Sequence, residues 1–307
     1  RSFSFSNNLD SLIAAVIGLI IILIFSNRSG IGVSPDSVTY ISSARHLLAG
    51  EGFRAFDNQP VVDFPAGYPF FLASVSFFTR MDVLQYGAVL NGLLFGLLIY
   101  LCGIILNGFY HTSKWYKRVL LACIVLSPAI LEIYSMLWSE TIFLILLMLF
   151  TIAIKKYLDR PGMKWLILSA ILVSLACVTR YAAIVLTAIG LFLIFFEGKL
   201  SWKRRIKHCV CFGFISILLL LINLIRNEAV MHFATGERQK SVSSLISNME
   251  YFGGVLSDWL LIPRISALSV ALTLIVLLIF LVSMLWCYFW RKTQRRYEYI
   301  LAATGLF

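Results

Sequence analysis

The sequence predicts an all-α polytopic membrane protein, and three observations carry that prediction. Of the 307 residues, 60% are hydrophobic and only 13% charged, with a mean hydropathy of +0.89. A soluble domain of this length cannot hide that much apolar surface. Runs such as Leu12 to Phe25, Val83 to Leu106 and Ile265 to Trp290 approach or exceed the roughly 20 residues a helix needs to cross about 30 Å of hydrocarbon. The net charge of +11 sits in short clusters between these runs, not along one face with interleaved aromatics, which fits membrane topology and argues against nucleic acid as a partner. The six cysteines lie within or beside apolar runs without metal-site spacing, so neither a disulfide framework nor a zinc site is expected.

The first span is read over Leu9 to Phe25. No small-residue cleavage pattern follows it and it ends in Asn27-Arg28, so it is a retained span and not a signal peptide. The first outer loop, about 27–82, opens with Ser34-Pro35-Asp36. Ser34 can cap a helix, Pro35 suits its first position, and Asp36 falls where the helix dipole favours negative charge. That helix should run to about Leu48 and stop at Gly50, with Val38, Ile41, Ala44, Leu47 and Leu48 on an apolar face while Asp36, Tyr40 and Arg45 point elsewhere. Pro65 to Thr79 is short and interrupted by Pro69, so a partly inserted juxtamembrane helix is expected there.

Val83 to Leu106 should return to the cytoplasm, and Val119 to about Leu131 should go out again as a short span ending near Pro128. The next turn holds Trp138, Ser139 and Glu140 at the mouth of a span from Thr141 to Ile154. Trp165 to Phe196 reads as two short spans meeting at Thr179-Arg180-Tyr181. An arginine there either snorkels to the interface or meets an anion. Cys209 to Ile225 crosses outward, a later outer loop covers about 226–264, and Ile265 to Trp290 returns. About sixteen of the 26 Lys and Arg residues then lie in four cytoplasmic loops, which is the bias the positive-inside rule demands. The expectation is a single transmembrane module over residues 1–307, with about eight spans and the start of a ninth at Tyr299 to Phe307. That run leads to the further expectation of a C-terminal part beyond residue 307, and the missing initiator Met to the expectation of an incomplete N-terminal end.

Most carboxylates fall on the outer side in this topology, Asp36, Asp57, Asp63, Glu132 and Glu140 among them. Asp63-Phe64-Pro65-Ala66-Gly67-Tyr68-Pro69 leads from the first acidic loop into the next apolar helix. Together with Asp36, the Glu140 helix entrance, Thr179-Arg180-Tyr181, and Arg226-Asn227 followed by Gly236-Glu237-Arg238, this order resembles the polyprenyl-phosphate-sugar-dependent integral membrane glycosyltransferases of the GT-C superfamily. The likeness is to the family 39-like group that includes the protein O-mannosyltransferases and the aminoarabinose transferases of lipid A. Asp36 is followed by Ser37, where the protein O-mannosyltransferases tend to carry an Asp-Glu pair.

The resemblance implies a GT-C-type module with juxtamembrane helices in the first outer loop, seated in a bacterial inner membrane with its active site facing the periplasm. It implies an inverting transfer of sugar from a polyprenyl-phosphate donor (undecaprenyl- or dolichyl-phosphate) to a hydroxyl of a lipid, glycan or protein. Asp36 would be the base, with Glu140 orienting it or the acceptor, and Arg180, Arg226 and Arg238 would bind the donor phosphate, Arg being suited to bidentate contact. Asp63, Tyr40, Arg45 and Tyr68 are secondary candidates. No cofactor is required, because arginines can neutralise the phosphate; a divalent cation bridging Asp36 and Glu140 is the alternative. The rival functions are a transporter or flippase of lipid-linked sugars and a structural membrane protein. Against the transporter stand the missing inverted repeat and the lack of broken helices at mid-membrane.

Overall fold

A computed structural model describes residues 8–109, 113–196, 200–236, 243–259, 262–290 and 297–306. These fall into two compact units, Arg1–Gly236 and Glu237–Phe307. The described residues are helical with only isolated bridges, and five helices are long and apolar enough to cross a membrane, so the protein is a helical membrane protein.

In the first unit, α1 (Leu9–Ser26) lies against α4 (Val83–Leu106). The contact follows from the sequence Gly92-Leu-Leu-Phe-Gly96 on α4, because small residues four apart let two backbones approach closely. A Cβ added at Gly96 would stand 3.0 Å from the Ala15 carbonyl, and one at Gly92 3.4 Å from that of Leu19. Asn107 on this pair donates to Asn8 at 2.6 Å, and the buried Lys117 of α5 (Lys114–Val125) pairs with Asp10 at 2.6 Å, closing the same end.

The expected single span over Val119 to Leu131 is instead two helices, α5 and α6 (Pro128–Ser135), bent by 50°. Pro128 explains the break: it sits at the first position of α6, where its missing N–H costs no bond, and it could not continue α5. The chain returns along α7 (Glu140–Asp159), then α8 (Met163–Thr179), a 3-10 turn at Tyr181–Ala183, and α9 (Ile184–Phe195). Helices α8 and α9 are apolar but shorter than a full span. Helix α10 (Trp202–Met231) packs on both, with Phe212 filling the space that the absent side chain of Gly190 leaves.

Between α1 and α4 in the chain come two shorter helices, α2 (Pro35–Ala49) and α3 (Gly67–Thr79). Helix α2 begins and ends as its sequence dictates. Ser34 and Ser37 exchange capping bonds at 3.3 and 3.0 Å, and Gly50 closes the helix in the left-handed conformation (φ 78°). Helix α3 begins where it meets α8: a Cβ at Gly67 would stand 2.4 Å from the Val178 carbonyl, so only glycine fits.

The second unit contains α11 (Leu245–Trp259), α12 (Ser266–Leu285), a π-turn at Trp286–Trp290 and α13 (Tyr297–Leu306). Thr273 of α12 donates to the Met249 carbonyl of α11 at 2.7 Å. The region read as a later outer loop, about 226–264, holds the last residues of α10 and all of α11.

Candidate functional site

One end of the first unit gathers polar groups, and a single fully buried side chain arranges them. Asn91 of α4 donates through Nδ2 to the carbonyls of Tyr134 and Met136 at 3.0 and 2.7 Å. The stretch so held pairs with the chain entering α2: Gly32 N–H donates to Ser135 at 2.8 Å and Leu137 N–H to Gly32 at 3.0 Å. The N-termini of α2 and α7 consequently lie side by side. The Trp138 indole N–H donates to Ser34 Oγ at 2.8 Å, which joins the cap of α2 to the approach to α7.

Ser139 is the hub of this polar end. Its buried hydroxyl lies 3.2 Å from Arg180 Nη1, 3.4 Å from the Tyr40 hydroxyl and 3.4 Å from Glu140 Oε2. Arg180, in the extended link after α8, also forms an ion pair through Nη1 with Glu140 Oε1. Among the described residues nothing pairs with Arg180 Nε or Nη2, so the outer edge of the guanidinium is free.

Tyr40 stands on this hub with its ring edge-on to Phe64 and to Tyr68, centroids 5.1 Å apart in each case. Burial pushes its hydroxyl up to about 12, the bond to Ser139 opposes that, and the nearby carboxylates of Asp36 and Glu140 add to it. Tyr40 is thus a protonated donor at neutral pH, not a base. Asp36 is exposed on the first turn of α2 and makes no hydrogen bond among the described residues, so its carboxylate is open to a ligand. Tyr68 is 1% exposed, its hydroxyl beside Thr141 and the Glu140 carboxylate without a hydrogen bond among the described residues. Burial raises its pKa as well.

A second polar group, which the sequence displays only in part, clamps the first loop. Arg226 Nη1 donates to the Val61 carbonyl at 2.6 Å and to Asn227 Oδ1 at 3.0 Å, Nη2 donates to the Phe53 carbonyl at 3.1 Å, and the guanidinium covers the Phe53 ring. Asn227, fully buried, donates to Val62, the Tyr181 hydroxyl and Ala234. Asn223 donates to the same Tyr181 hydroxyl and accepts from Ala66 N–H. The two asparagines share a helix face because they are four residues apart, and that spacing near the end of an apolar run is the signal that could have found them.

Asp36, Glu140, Arg180, Tyr40 and Tyr68 are thus neighbours, whereas the other sequence candidates fall elsewhere. Arg226 serves the loop backbone, and its guanidinium is occupied by carbonyls. Arg45 projects from the opposite side of α2, where it holds Asp82 in a two-pronged ion pair at 2.9 Å. Asp63 is exposed on the clamped loop, against Gly236, whose left-handed backbone (φ 77°) leaves no room for a side chain there. Arg238 lies outside the described residues. A groove of about 530 Å³, lined by Val38, Ile41, Arg45, His46, Phe56 and Leu84, is on the Arg45 side of α2, so it does not coincide with the polar cluster. The ion pair and its hydroxyls, not the volume, mark the candidate site. Among the described residues no three of His, Cys, Asp and Glu gather at one point, so a divalent ion at Asp36 and Glu140 would need further ligands.

Comparison of the chain with protein-family models, with curated proteins and with solved structures finds no match.

Proposed function

We propose that this protein is an inverting glycosyltransferase of GT-C type, taking sugar from a polyprenyl phosphate at the membrane surface and delivering it to a hydroxyl acceptor outside the cytoplasm. The observation that carries the reading is that an open carboxylate, Asp36, and a partly exposed arginine whose outer edge is free, Arg180, both lie beside Tyr40 at one end of the first unit.

The acceptor oxygen attacks the anomeric carbon from the face opposite the phosphate, and its proton passes to the Asp36 carboxylate. The bond from the anomeric carbon to the phosphate oxygen breaks, and the leaving phosphate takes the electron pair. Negative charge grows there as the bond breaks, so a guanidinium aimed at it stabilises the transition state more than the ground state.

Asp36→Asn tests this. The side chain is exposed and unpartnered among the described residues, so the variant should fold and express as the wild type does while transfer from a polyprenyl-phosphate sugar is lost. Near wild-type transfer by Asp36→Asn would remove Asp36 from the reaction.

A further inference from the structure

We infer that Glu140 works through Arg180 and not on the acceptor: it is a positioning residue that holds the guanidinium so that its outer edge faces an arriving phosphate. The inference rests on the transferase reading for the identity of that phosphate, and on geometry for the rest. Arg180 follows the last turn of α8 in an extended conformation, with no helix to fix its side chain. Two contacts hold it, the Glu140 carboxylate and Ser139 Oγ, and both engage Nη1. An arginine has five N–H donors in a rigid fork. Tethering one nitrogen leaves Nε and Nη2, the edge that accepts two oxygens side by side, ready for a phosphate.

The contrast with Arg226 supports the assignment, because there both terminal nitrogens bind backbone carbonyls. Glu140 is itself doubly held. Its Oε1 takes Arg180 and its Oε2 faces Ser139, so neither oxygen points away toward an acceptor hydroxyl. Asp36 is the carboxylate left open.

A double-mutant cycle read by equilibrium binding of undecaprenyl phosphate to the purified protein tests the inference. Glu140→Ala should weaken binding about tenfold, in line with the loss of one hydrogen bond to a charged group. Glu140→Gln, which keeps an oxygen for Nη1, should lose less. In an Arg180→Ala background, where affinity is already low, Glu140→Ala should cost nothing further or register as a gain, since an unpaired carboxylate repels phosphate. Arg180→Lys should not restore binding, because an ammonium lacks the fork. In transfer assays the Glu140 variants should raise the donor KM more than they lower kcat.

Equal losses from Glu140→Ala in both backgrounds would overturn the inference. So would unchanged probe affinity with turnover abolished in both Glu140 variants, which would place Glu140 on the reacting atoms. Failure of the wild type to bind the probe overturns it too. Binding with the expected cycle but no sugar transfer would sink the transferase reading and leave the Arg180 anchor standing.

Discussion

Asn227→Leu should release the first loop from α10, and the size of the effect follows from the bonds lost. Asn227 is fully buried; its Nδ2 reaches Val62, Tyr181 and Ala234 at 3.3, 3.1 and 2.9 Å, and its Oδ1 accepts from Arg226 at 3.0 Å. Two amide hydrogens serve three acceptors, so the side chain makes about three effective bonds, each worth about 1 kcal/mol net. Leucine has the same branched arrangement of heavy atoms, is bulkier, and replaces none of them. About 3 kcal/mol is roughly a hundredfold in the equilibrium between clamped and open loop. Limited trypsin digestion reads that equilibrium at Arg54, whose side chain donates to the Glu51 and Asn58 carbonyls within the clamped segment. Where opening and closing are fast relative to cleavage, the rate tracks the open population. Cleavage after Arg54 should therefore accelerate on the order of a hundredfold in the variant. A rate within about threefold of wild type would refute the clamp, since it would put the contribution below 1 kcal/mol.

Two further predictions concern the tyrosines beside the hub. A raised tyrosine pKa contributes stability that is fully present below the unfolded value of about 10 and is lost as pH rises through the folded value, here about 12 for Tyr40. Tyr40→Phe should therefore lessen the alkaline fall in melting temperature between those limits, and an unchanged slope would show that Tyr40 is not buried as described. Tyr68→Phe removes a buried hydroxyl that has no hydrogen bond among the described residues, so it should leave stability unchanged or raise it by about 1 kcal/mol. A clear drop in melting temperature would reveal a partner for that hydroxyl.

Much of the architecture was legible in the sequence because it rests on local signals. Val83 to Leu106 is a continuous apolar run and forms α4 over those bounds, and Ser34, Pro35 and Gly50 mark both ends of α2. Charge clusters were less informative about helix ends. Lys203, Arg204 and Arg205 bound the apolar run, yet they already belong to α10, since basic side chains are good helix formers. The bend between α5 and α6 was announced by Pro128, but the apolar run on either side of it reads as one span. Helix α11 has no counterpart in the sequence reading because its polar residues give no membrane signal.

The site was legible as residue types and not as partners. Glu140 and Arg180 each stand out alone, an acid and a cation beside apolar spans, but their pairing joins two helix ends that sequence does not place together. Ser139 gives no signal, its importance coming entirely from the three groups that converge on its hydroxyl. Arg226 misleads because its partners are backbone carbonyls of a distant loop, which no sequence pattern displays.

The most direct measurement is the fate of a polyprenyl-phosphate sugar given to the purified protein together with a membrane fraction as the source of hydroxyl acceptors. The account predicts that free polyprenyl phosphate accumulates with wild type, in step with sugar appearing on acceptor. Donor that stays intact, or that only moves across the bilayer of reconstituted vesicles with its sugar attached, would contradict it.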